Sequence, residues 1–100
     1  MKIEYYYQPN KITIEKFAVE HDLTMEVHQR GASSLVADKF YARFKRCEIK
    51  VGYCLKSSFG DGSSPEHAIA NYAKEISGKL LVIDAMSTGR KEIQCPELVL

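Results

Sequence analysis

The sequence predicts an α+β fold in which a single antiparallel β-sheet carries two α-helices on one face, all within one domain spanning residues 1–100. Three observations predict it. Apolar residues alternate with polar ones in several short runs, as they do along half-buried strands. Two other segments space their apolar residues by three and four, as the buried stripe of a helix does. Leu80, Leu81, Val82 and Ile83 form an unbroken apolar run, the mark of a strand covered on both faces. A sheet with helices layered on it buries all of these surfaces at once.

The elements follow in order. Ile3, Tyr5 and Tyr7 alternate with Lys2, Glu4 and Gln8, giving a first strand that Pro9 and Asn10 end. Thr13 is the expected N-cap of a helix over 14–22, whose stripe is Ile14, Phe17, Ala18 and His21. Residues 24–29 read as a strand with Met25 and Val27 on one face, and residues 30–34 as a loop. From Lys39 a longer strand places Phe40, Ala42 and Phe44 inward and Tyr41, Arg43 and Lys45 outward. The apolar phase then moves to Cys47, Ile49 and Val51. A shift by one residue exchanges the two faces, so a bulge or turn is expected near Arg46.

Residues 53–59 complete three strands between the helices, and Gly60, Asp61 and Gly62 read as the turn that closes them. Ser64 is then an N-cap, Pro65 takes the first helical position, and Glu66 suits the positive end of the helix dipole. Ala68, Ile69, Tyr72, Ala73 and Ile76 form the stripe, and Gly78 ends the helix in a left-handed conformation. After the run 80–83, Ser87, Thr88 and Gly89 turn the chain into a last strand over 90–95.

Composition narrows the function classes. The chain is 45% hydrophobic and 27% charged, which fits a folded domain. With 14 basic and 13 acidic side chains the net charge is only +1, so no global basic excess drives binding to phosphate backbones. Cys47, Cys54 and Cys95 are odd in number and widely spaced, which fits free thiols in a reducing compartment. No apolar run approaches the roughly 20 residues of a membrane helix, and the first residues lack the apolar stretch of a signal peptide. A cytoplasmic location, in a host cell, is the expectation.

Residues 13–78 resemble the double-stranded-RNA-binding domain in their order of helix, three strands and helix. Gly60-Asp61-Gly62-Ser63-Ser64 matches the Gly-x-Gly-x-Ser turn of that family, and Ala68 its small residue packed on the sheet. Its three lysine positions are Pro65, Glu66 and Ile69 here, so what the resemblance implies is the fold and not the activity. Residues 59–73 also look like an antitoxin family with a sheet followed by a Gly-Asp-opened helix. More broadly, the Gly-Asp-Gly-Ser-Ser-Pro-Glu-His-Ala-Ile segment is similar to small bacteriophage proteins. That similarity implies an accessory or counter-defence role, of the anti-CRISPR kind, exerted by binding and blocking host machinery.

The candidate partner-binding residues are Tyr41, Arg43, Lys45, Arg46 and Lys50, a basic stripe beside an aromatic ring, together with Tyr6. An ordinary solvated sheet face would use the same residue types. The Gly-Asp-Gly turn lacks a P-loop lysine, and Asp61 and Glu66 would repel an anion. The cysteines and His21, His28 and His67 have no zinc-ligand spacing, and no catalytic motif is present, so neither metal, cofactor nor enzymatic activity is expected. A host protein or nucleoprotein complex is the expected partner; direct binding of duplex RNA or DNA, or of a small toxin, are the alternatives. Self-association is open, through a terminal strand or docking of the Leu98-Val99-Leu100 tail on a neighbour.

Overall fold

Thr13 begins the first helix as the sequence requires. The computed structural model describes residues 1–4, 11–31 and 39–99. In it a short strand β1 (Lys11–Thr13) runs into α1 (Ile14–Glu20), and Thr13 Oγ1 accepts the Lys16 N–H at 3.2 Å. Ile14 and Phe17 are buried, and the His21 ring lies 4.6 Å from that of Phe17. The helix stops short of Asp22 because that residue turns left-handed (φ 54°), and Leu23 N–H bonds back to Ala18 C=O at 2.8 Å. The expected first strand falls largely on residues 5–10, outside the described residues.

The described strands divide among three sheets, not the single sheet expected. β2 (Met25–Gln29), β3 (Phe40–Phe44) and β6 (Gly60–Gly62) form an antiparallel sheet in that order. β5 (Cys54–Lys56), β4 (Cys47–Val51), β7 (Leu80–Ile83) and β8 (Lys91–Gln94) form a second. β1 pairs in parallel with β9 (Glu97–Val99). The division occurs where the apolar phase slips. Arg46 is left-handed (φ 56°), and the two-residue turn at Lys45 and Arg46 carries the chain out of one sheet into the other. Lys45 N–H bonds Thr24 C=O at 2.8 Å and Asp84 N–H bonds Arg46 C=O at 3.0 Å, fixing that corner. Beyond it, β4 has β5 on one edge and β7 on the other, so neither edge is left for β3.

The strand expected over 53–59 is shortened to β5. A two-residue hairpin at Gly52 (φ 62°) and Tyr53 returns β5 along β4, and the chain then crosses to β3 as β6. Among the described residues five strands therefore lie between the helices instead of three.

Gly60, Asp61 and Gly62 are strand β6, not the turn expected. The reason lies in α2 (Pro65–Ile76), which packs backbone against backbone on this strand. A Cβ on Gly62 would stand 2.3 Å from Ala68 N, so the motif's glycines permit close approach. Ala68, with no exposed surface, is the small residue on the helix side. Ser64 Oγ accepts the His67 N–H at 3.2 Å, Pro65 opens the helix, and Gly78 (φ 75°) follows its end. Phe44 gathers the core beneath both helices. Its ring centroid is 6.2 Å from that of Phe17 in α1 and 5.5 Å from that of Tyr72 in α2.

The C-terminal tail docks within its own chain. Leu98 is buried in the core, and its N–H bonds Ser77 Oγ at 2.9 Å. Leu100 lies outside the described residues. No helix among the described residues is long and apolar enough to cross a membrane.

Candidate functional site

The alternation of β2 and β3 builds one coherent surface on the face of their sheet turned away from the helices. Met25, Val27, Phe44 and Ala42 take the inner side, so their neighbours Glu26, His28, Arg43 and Tyr41 take the outer one. The register sets Glu26 opposite Arg43, His28 opposite Tyr41, and Tyr41 opposite Asp61. Phe59 precedes β6 and reaches the same face.

Tyr41 is the centre of this surface. The His28 ring stacks on it at 4.9 Å and 16°, and Phe59 meets it edge-on at 5.9 Å. The Arg30 guanidinium lies 5.2 Å from the Tyr41 ring centroid, a cation–π geometry, and pairs with Asp61 at the same time. Asn71 of α2 holds the Asp61 backbone carbonyl. His28 also meets Glu26 at 3.4 Å. Phe59 keeps 46% of its surface exposed, although it packs against Tyr41. The result is a half-open aromatic cluster whose cation already has a carboxylate partner.

The residues expected to form a basic stripe are distributed differently. Tyr41 and Arg43 share the outer face, and Lys45 and Arg46 occupy the corner turn. Arg43 is half-buried and donates from Nη2 to Cys47 C=O at 3.4 Å. Arg46 Nε lies 3.2 Å from Asp84 Oδ1. Lys50 belongs to the other sheet, where its Nζ is 3.4 Å from Glu92 Oε1. The structure thus brings Tyr41 and Arg43 together, separates Lys50 from them, and ties Arg46 and Lys50 to carboxylates. Tyr6 lies outside the described residues. His28, Arg30, Phe59 and Asp61 were not among the expected site residues. The period of two in β2 points to His28 and Arg30, whereas Phe59 and Asp61 need the β3–β6 pairing to be known.

Other chemistry is muted. Burial pushes the Cys47 thiol up to about 11 and the Cys95 thiol up to about 12, so both stay protonated near neutrality. Tyr72, which hydrogen-bonds Cys47, is also raised by burial. Cys54 is exposed. Among the described residues no group of three or more His, Cys, Asp or Glu is placed to hold a metal ion. At the start of α2, Pro65 is half-buried, Glu66 is exposed, and Ile69 lines an apolar cleft with Ile14, Ala18, Met25 and Phe44. None of the three presents a cation.

The chain matches no protein-family model, no curated protein and no solved structure.

Proposed function

We propose that this chain is a non-enzymatic docking protein that binds a protein or nucleoprotein partner through the outer face of the β2–β3–β6 sheet. The observation that carries this reading is the cluster of Tyr41, His28, Phe59 and Arg30, half exposed and with its guanidinium balanced by Asp61. Aromatic rings and arginine are the side chains that most often dominate protein interfaces, because they bury much area for little lost freedom. Prior contact with their neighbours holds them in place before a partner arrives, which lowers the cost of ordering. A partner in host machinery, blocked by occupation of its surface, rests on the sequence resemblance of the Gly-Asp-Gly-to-helix segment to small phage proteins alone.

Charge favours a protein over a bare phosphate backbone. Arg30, Arg46 and Lys50 each face a carboxylate, so few counterions would be released on contact. A second reading, binding of single strands or exposed bases, is favoured by the arginine-flanked rings, on which bases can stack. Titration of the chain with labelled duplex RNA, duplex DNA and single strands, at about 50 and about 150 mM salt, separates the two. Absence of micromolar binding at the lower salt supports the protein reading. Micromolar, salt-sensitive binding that is lost in Tyr41→Ala would replace it with the second.

A further inference from the structure

The edge of β2 that no described strand covers points to a second interaction, at the border of the docking face. Hydrogen bonds just beyond both ends of β2 fix which residues address β3. Lys45 N–H donates to Thr24 C=O at 2.8 Å, and Arg30 N–H to Lys39 C=O at 2.7 Å. Bonded and non-bonded pairs alternate along an antiparallel ladder. Glu26–Arg43 and His28–Tyr41 are therefore the bonded pairs, and the N–H and C=O groups of Met25, Val27 and Gln29 point away from β3. β2 ends its sheet, and among the described residues no strand pairs with that edge. The strand has no proline, and its register with β3 runs without a bulge, so two common protections against edge pairing are missing. Val27, at its middle, is 39% exposed.

We propose that a second copy of this chain closes the edge, β2 pairing antiparallel with its counterpart about a two-fold axis at Val27. In that register Val27 faces the partner's Val27, and Met25 faces the partner's Gln29. Every outward N–H and C=O of Met25, Val27 and Gln29 is then satisfied. The side-chain pattern of the strand fits a second copy, because a carboxylate meets a ring N–H donor on each side of the axis. Glu26 lies on the N-terminal side of Val27 and His28 on the C-terminal side, so self-pairing sets each Glu26 opposite the partner's His28. Centring the pair on Glu26 would oppose two carboxylates and forfeit one bonded pair. The contact is isologous and closes on itself, which protects the edge from further growth. It also joins two three-stranded sheets into one, with both Tyr41 clusters on the same face.

Sedimentation equilibrium of the full chain, from about 1 to about 200 µM, tests this. The expected mass at the upper end is twice the 11.3 kDa of one chain. Val27→Pro removes an N–H that the β2–β3 ladder does not use, so the variant should fold and dissociate about 100-fold more readily. Glu26→Lys should weaken the dimer, and adding His28→Glu should restore it. Hydrogen exchange provides a test that needs no variant. The amides of Val27 and Gln29 should lose protection on dilution, while those of Glu26 and His28 keep theirs. A monomer across the whole range overturns the proposal and leaves the edge to an extended segment of another protein. So does a dimer in which the Val27 and Gln29 amides exchange freely.

Discussion

The backbone nitrogen of Tyr72 lies 2.1 Å from the point that a Cβ on Gly60 would occupy. Strand β6 and helix α2 therefore touch main chain to main chain, and the packing that sets the docking face depends on a missing side chain. Gly60→Ala should cost about 3 kcal/mol or more, because rigid backbone rather than a movable side chain stands in the way. Gly52→Ala provides the contrast. Nothing lies within 4 Å of its Cβ position, so only the left-handed backbone resists, at about 1 kcal/mol. Urea unfolding of the two variants beside the parent checks the difference.

The thiols should divide into two classes. Cys54 is exposed and should react promptly with a thiol reagent in the native protein, whereas Cys47 and Cys95 should react only on unfolding. The same burial makes stability fall in alkali. Both buried thiols ionise at higher pH in the folded chain than in the unfolded one, so above pH 9 the unfolded state loses protons first and is favoured. Stability should be unaffected by these groups below pH 9 and decline between 9 and about 12, with Cys47 alone contributing on the order of 2 kcal/mol by pH 11. Cys47→Ala should flatten part of that decline while costing packing energy at neutral pH.

On the second sheet, the Lys50–Glu92 ion pair spans β7 on the face that carries Val82. Val82 is fully covered although it points away from the main core. The apolar contact should outweigh the charge contact. Val82→Ala should cost about 2 kcal/mol, and Glu92→Gln less than about 1, since the pair is well exposed. Thermal unfolding at two salt concentrations checks both: only the Glu92→Gln difference should shrink with added salt.

Local chemistry was legible in the sequence, and pairing was not. Thr13, Ser64, Pro65 and Gly78 act within a turn of their own position, so each helix end follows from short-range rules. The slip of phase after Phe44 located the corner at Arg46 for the same reason. Alternation, however, reports which face a residue takes and not which strand lies beside it. Hence β3 and β4 read as one longer strand interrupted by a bulge or turn, although each is bonded to other strands in a different sheet. Gly-Asp-Gly carries the composition of a turn, and only the approach of α2 shows why glycine is required in a strand. The docking face was half legible: Tyr41 and Arg43 follow from period two, while Phe59 and Asp61 arrive through the β3–β6 contact.

The most direct test of the docking face is a nuclease-treated pull-down from bacterial lysate with the immobilised chain, comparing the parent with a Tyr41→Ala, Phe59→Ala variant shown by circular dichroism to be folded. A discrete protein retained by the parent after nuclease, and weakened by about 2 kcal/mol or more in the variant, is the expected result. Equal retention by parent and variant, or no discrete protein retained by the parent, would contradict it.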